Sequence, residues 1–226
     1  MSTVSRSALA LFVGVLIFAG LPVLGWGIAD FSGFIANPAR LGYLLMVVAL
    51  QVIVIIRFPG IGRSGGDGQK LVRRQKIAVV LLQILTLSMV IAVPAFDRHG
   101  IAIMQDADAV RMIGVLVFAI GFLLMNVSEY VLGKQFSIQV TIQKDHQLVT
   151  AGPYRFVRHP RYLAILIYNA GVTLVFGSWL GLLLTALLVG VLLWRIQDEE
   201  ALLHQEFGAQ WEAYARQSRR LIPFIY

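Results

Sequence analysis

Long apolar runs separated by short charged segments organise this 226-residue chain. Four runs, Ala8–Ile28, Leu41–Ile56, Ile77–Phe96 and Met112–Ser128, read as membrane crossings, since a spanning helix needs roughly 20 apolar residues and about 17 at the lower limit. A fifth run from Tyr162 to Trp194 carries no charge over 33 residues, between Arg161 and Arg195. As one helix it would be about 50 Å long, against a hydrocarbon core of about 30 Å. It therefore predicts a helical hairpin turning at Gly177-Ser178-Trp179. The expected fold is all-α, a polytopic transmembrane bundle of about six spans ending in that hairpin.

Composition agrees. Hydrophobic residues make up 58% of the chain and charged residues 14%, with a mean hydropathy of +0.77; a soluble domain is about 45–50% apolar and about 25% charged. The net charge of +7 would suggest nucleic acid if the basic residues formed a solvated domain. They flank the apolar runs instead, which is the pattern of membrane orientation, and nucleic acid is not an expected partner. The first run is about 21 residues, longer than the roughly 7–15 of a signal peptide's apolar region, so it reads as a span. Cysteine is absent, which excludes disulfides and cysteine-based nucleophiles or metal sites.

Charge asymmetry orients the spans. Arg57, Arg63, Lys70, Arg73, Arg74 and Lys76 face Asp67 alone in one loop, and Lys134, Lys144, Arg155, Arg158 and Arg161 outweigh Glu129 and Asp145 in another. The loop between them holds Asp97, Asp106 and Asp108 against Arg98 and Arg111. With six spans, both basic loops and both termini fall on one side, which the positive-inside rule makes cytoplasmic. Gly65-Gly66-Asp67-Gly68 reads as a flexible turn, because a phosphate-binding loop needs a preceding strand and a following helix.

Two cytoplasmic stretches are richer than plain loops, and only the hairpin separates them. The first runs from Gln143 through His146-Gln147-Leu148-Val149 and Gly152-Pro153-Tyr154 to His159-Pro160-Arg161-Tyr162. Gly-Pro breaks regular structure and admits close backbone approach, and Pro160 suits the first turn of a helix. The second begins Arg195-Ile196-Gln197-Asp198-Glu199-Glu200. Arg195 and Glu199 stand four apart, the spacing of a local helical pair, whereas Glu200 points about 140° away from Arg195 and needs another partner. Leu203, Phe207, Trp211 and Tyr214 then mark an amphipathic helix along the membrane, broken at Gly208. Interfacial anchoring is the plain alternative for both stretches.

The ordered set Leu132-Gly133…Phe136-Ser137, His146-x-Leu148-Val149-Thr150-x-Gly152-Pro153-Tyr154, Arg158-His159-Pro160-x-Tyr162, Arg195-x-x-x-Glu199-Glu200 and Phe207-Gly208-x-x-Trp211-x-x-Tyr214, closing in Pro223-Phe224-Ile225, resembles the isoprenylcysteine carboxyl methyltransferase family. It is shared in part with phospholipid methyltransferases. The resemblance covers roughly Leu132 to the C-terminus and implies a core over 129–226 preceded by N-terminal helices over 1–128. It implies a cytosolic S-adenosylmethionine pocket built from Gln143, His146, Gln147, Leu148, Val149, Tyr154, His159, Pro160, Arg161 and Tyr162, with Glu200 facing the cofactor and Arg195 orienting the substrate. Ala164 departs from the glycine common among relatives.

The expected activity is therefore an integral membrane methyltransferase acting on a lipophilic acceptor, with carboxyl O-methylation of an isoprenylcysteine-like substrate first. Phospholipid N-methylation and small-thiol S-methylation are the alternatives within the enzyme class. An amine acceptor would need a base, for which Glu200 or Glu199 is the candidate. The four histidines lack metal-ligand spacing, so no metal is expected. A non-enzymatic transporter subunit is the rival of another class; transport usually leaves ionisable residues inside spans, and the proposed spans contain none.

Overall fold

The computed structural model describes residues 12–58, 70–71, 75–105, 107–137, 141–142 and 147–222. Among these the architecture is almost wholly helical: α1 (Phe12–Trp26, with a π-helical turn at Leu16–Gly20), α2 (Ile28–Ala36, opening as a 3-10 turn), α3 (Pro38–Arg57), α4 (Gln75–Arg98), α5 (Asp108–Leu132), α6 (Pro160–Val175), α7 (Trp179–Phe207) and α8 (Ala209–Gln217). Two short strands, β1 (Lys70–Leu71) and β2 (Thr141–Ile142), pair antiparallel with Lys70 opposite Ile142. The Gly65–Gly68 turn, Asp106, Gln143 and His146, and the closing Pro223-Phe224-Ile225 lie outside the described residues.

Local sequence sets the boundaries. Pro38 opens α3 behind Asn37, whose side chain accepts from the Ala39 and Arg40 amides, and Ser178 caps α7 by accepting from Gly181 N at 3.1 Å. Pro160 opens α6 and Gly208, at φ +48°, ends α7, both where the sequence places a start and a break. The hairpin turn falls at Phe176-Gly177-Ser178, with Gly177 at φ +57°. Arg195 meets Tyr162, and Thr173 sits over Gly181, so α6 and α7 run antiparallel.

Among the described residues four helices, α3, α4, α5 and α7, have the length and apolarity to cross a membrane. The predicted first span does not continue straight to Ile28: Gly27, at φ +109°, bends α1 from α2 by 88°. Counted as one broken span, this pair makes a fifth. The first hairpin arm, α6, has 16 residues, about 24 Å of helix. Ten of those residues are buried, so α6 is sheathed by protein and need not match the hydrocarbon thickness by itself.

Three glycines pack α5 closely against α6. A Cβ placed on Gly171 would lie 2.3 Å from the Phe118 nitrogen, on Gly121 2.4 Å from that of Tyr168, and on Gly114 2.5 Å from that of Val175. Absent side chains let the backbones touch, which is how helices associate where lipid supplies no hydrophobic contrast. A buried ion triad locks the end remote from the site. Asp97 takes two bonds from Arg111 (2.6 and 2.9 Å) and one from Arg40 (2.8 Å), while Arg111 also donates to Val175 O. The triad joins α3, α4, α5 and α6, so charges counted by sequence as a loop and its flanks are a helix clamp.

Candidate active site

At the opposite end of the bundle, the start of α6, the end of α7 and the 3-10 turn Gly152–Arg155 converge. Gly152, at φ +58°, turns the chain so that Tyr154 is buried, and Tyr214 on α8 donates to Tyr154 O at 2.7 Å. Burial, reinforced by Glu199, pushes the Tyr154 phenol well above its ordinary range, and burial pushes Tyr214 up to about 12. Both phenols are therefore neutral near pH 7. The C-terminal segment straps the turn from beneath: Arg158 N donates to Arg219 O (2.7 Å), His159 N to Arg220 O (3.1 Å) and Arg219 N to Phe156 O (3.0 Å).

The cavity between these elements is lined by Gln147, Leu148, Val149, Tyr154, His159, Arg161, Tyr162 and Arg195, all anticipated from sequence. Pro160 stands beside it as the first residue of α6. Leu132, Gln135, Phe136, Ser137, Arg158, Glu199, Leu202, Leu203, Trp211 and Tyr214 complete the wall. Of these, Leu132, Phe136, Ser137, Arg158, Glu199, Trp211 and Tyr214 belong to the motifs read above; Glu199 was expected only as a candidate base for an amine acceptor, and Arg158 was given no role.

The adjacent glutamates differ. Glu200 lies beneath the cavity wall, with Oε1 2.8 Å from Arg158 Nε and 3.3 Å from His159 Nε2, and Oε2 2.7 Å from Arg220. These are the partners its helical phase demanded, though nothing in the sequence pointed to Arg220. Glu199 faces the cavity. The local Arg195–Glu199 pair suggested by the four-residue spacing is replaced by a bridged one: Arg195 Nε donates to Tyr162 Oη (2.7 Å), which donates to Glu199 Oε2 (2.5 Å). The His159 and Tyr162 rings stack at 5.5 Å. Arg161 is held by Glu129 at 2.8 Å over the Phe136 ring.

A second cavity of about 590 Å³ opens on the far side of the two arginines. Val79, Leu82, Gln83, Thr86 and Leu87 of α4 and Ile165 of α6 line it, together with Arg161 and Arg195. Gln75, at the start of α4, donates to Asp198 of α7 and fixes α4 beside the site. Sequence reading gave α4 no role, because its residues carry no motif.

The donor set of the first cavity fits S-adenosylmethionine. Glu199 matches its cationic groups, and the aromatic and leucine faces its adenosine. No group of three or more His, Asp or Glu side chains suited to a metal ion occurs among the described residues.

Comparison with known proteins agrees with the motif reading. The phospholipid methyltransferase family model matches residues 110–210, from α5 into α8. Protein-S-isoprenylcysteine O-methyltransferase A of Arabidopsis thaliana is 26% identical over 77% of this chain and 86% of its own length. The Schizosaccharomyces pombe protein-S-isoprenylcysteine O-methyltransferase is 37% identical over 41% of each chain. Apart from the first, the curated relatives are matched over 40% to 62% of their own lengths. A solved eukaryotic intramembrane Ras methyltransferase, isoprenylcysteine carboxyl methyltransferase, aligns with 99% of this chain and 75% of its own at 23% identity and a TM-score of 0.48. The chain is thus similar to integral membrane methyltransferases, to the phospholipid methyltransferases over residues 110–210 and to protein-S-isoprenylcysteine O-methyltransferases over as much as 77% of its length.

Proposed function

We propose that this protein transfers a methyl group to the carboxylate of a lipophilic, isoprenylcysteine-like acceptor. One observation carries the reading: Arg161 and Arg195 line both cavities, so a polar, carboxylate-bearing chamber and a largely apolar one meet at two cations. Gln147–Val149, Tyr154, His159 and Tyr162 would hold S-adenosylmethionine in the first cavity, where it would supply an electrophilic methyl and its sulfur would retain the electron pair of the broken bond. Gln143 and His146 are assigned to the same pocket by the motif alone. Glu199 holds a cationic part of that group, and Glu200 fixes Arg158 and His159 behind it.

The chain's own contribution is positioning. Arg195, 2% exposed and tied to Tyr162, presents its guanidinium to a carboxylate at the junction. Arg161, neutralised by Glu129, adds a second donor without a second net charge. Leu202, Leu203 and Trp211 give the first cavity an apolar wall, and Val79, Leu82 and Leu87 of α4 give the second one. A carboxylate needs no base before it reacts, whereas an amine does. Among the described residues the wall of the acceptor cavity carries two arginines and no carboxylate, which favours the carboxylate over phospholipid N-methylation.

In this reading the core over 129–226 supplies the cofactor side, the N-terminal helices over 1–128 supply the acceptor wall through α4, and the site and both termini face the cytoplasm. The test is methyl transfer from labelled S-adenosylmethionine by the purified protein, without added metal. A prenylcysteine analogue, phosphatidylethanolamine and a small thiol are compared as acceptors. Label that alkali releases as methanol marks the ester and supports the proposal; alkali-stable label on the amine or thiol contradicts it.

A further inference from the structure

We infer that Tyr162 is a positioning residue for Arg195, through its hydroxyl, and that it couples the two cavities. The inference rests on the reading of Arg195 as the acceptor's clamp. Tyr162 does two separable things. Its ring stacks on His159 at 5.5 Å with an interplanar angle of 11°. Its hydroxyl accepts from Arg195 Nε at 2.7 Å and donates to Glu199 Oε2 at 2.5 Å.

The direction of the two bonds follows from their partners. A guanidinium can only donate and an ionised carboxylate can only accept, so one phenol between them must accept from the first and donate to the second. Such a chain fixes the hydroxyl rotor and, through it, the plane of the guanidinium. Arg195 is a long side chain at the end of the α7 apolar run, and the bond at Nε fixes one edge of its fork. An arginine without that bond keeps its charge and loses one of the contacts that orient it. Bidentate carboxylate recognition depends on orientation. Glu199 sits on the cofactor side of the same phenol, so the acceptor clamp is anchored to a group that faces the cofactor.

Tyr162→Phe removes the hydroxyl and keeps the stacked ring. The expected result is a loss of roughly ten- to a hundredfold in kcat/KM for the acceptor, with cofactor affinity by calorimetry within about threefold of wild type. Combined with Arg195→Lys, the losses are non-additive, the double variant being no worse than the poorer single one. Acceptor kinetics unchanged in Tyr162→Phe overturn the inference, as does a loss confined to cofactor affinity.

A second readout is independent of the acceptor. With 15N-arginine labelling in nanodiscs, Arg195 Nε–H should exchange about tenfold faster in Tyr162→Phe than in wild type; equal exchange overturns the inference. A wild type that methylates no carboxylate acceptor defeats the proposed function, and the exchange measurement still decides whether the phenol holds the guanidinium.

Discussion

Glu199 and Glu200 are neighbours in sequence and opposites in environment: one faces the cavity, and the other is held beneath it by Arg158 and Arg220. Substitution should separate them. Glu200→Gln removes the charge that two arginines share at 2.8 and 2.7 Å, and should lower stability by about 1.5–3 kcal/mol. Glu199→Gln should leave stability nearly unchanged and weaken cofactor binding. Thermal unfolding in detergent and calorimetry with S-adenosylmethionine distinguish the two outcomes; equal effects of both variants on both readouts would refute the division.

Gly171 should tolerate no side chain. Its Cβ position is 2.3 Å from the Phe118 nitrogen on α5, so Gly171→Ala must force α5 and α6 apart, at a cost of about 1–3 kcal/mol or more. Gly190 on α7 is the control, since nothing lies within 4 Å of its Cβ position. Gly190→Ala should be neutral, or stabilising by up to about 1 kcal/mol through helix propensity. Comparable unfolding midpoints for the two variants would show that α5 and α6 leave room for a methyl group at Gly171.

The remote clamp makes a sharper demand. Asp97→Asn leaves Arg40 and Arg111 buried with their shared countercharge gone. Removing one partner of a buried ion pair costs about 3–5 kcal/mol. Loss of folded protein in detergent is expected for Asp97→Asn; wild-type unfolding behaviour would show that the triad is solvated.

Orientation can be read by labelling, because the chain has no cysteine. The hairpin turn itself is a poor place for a probe, since Ser178 is buried as the α7 cap. His99 and Gln205 are exposed at opposite ends of the bundle. His99→Cys should react with an impermeant reagent only from the non-cytoplasmic side, and Gln205→Cys only from the cytoplasmic side. Reaction of both from one side would exclude the orientation drawn from the charges.

How far the sequence spoke for itself differs by feature. The hairpin was legible because a charge-free run of 33 residues is too long for one crossing, and Gly177-Ser178 supplied the turn. The helix starts at Pro160 and the break at Gly208 were legible from local chemistry. The bend at Gly27 was not, because hydropathy continues smoothly through a glycine whose positive φ appears only in three dimensions. Helical phase excluded Arg195 as the partner of Glu200 but could not name Arg158 and Arg220, which arrive from two other segments. The part played by α4 was invisible for a similar reason: Gln83, Thr86 and their apolar neighbours form a wall only once Gln75 meets Asp198.

The central claim is that Arg195 clamps a carboxylate where the two cavities meet. The most direct test compares wild type with Arg195→Lys for methyl ester formation on a prenylcysteine analogue, with cofactor affinity measured in parallel. Lysine keeps the charge and loses the planar fork. The account predicts turnover reduced by roughly one to two decades, the equivalent of about 1.5–3 kcal/mol, with cofactor affinity nearly intact. An Arg195→Lys protein that forms the ester at the wild-type rate would contradict it and leave Arg195 as a membrane anchor.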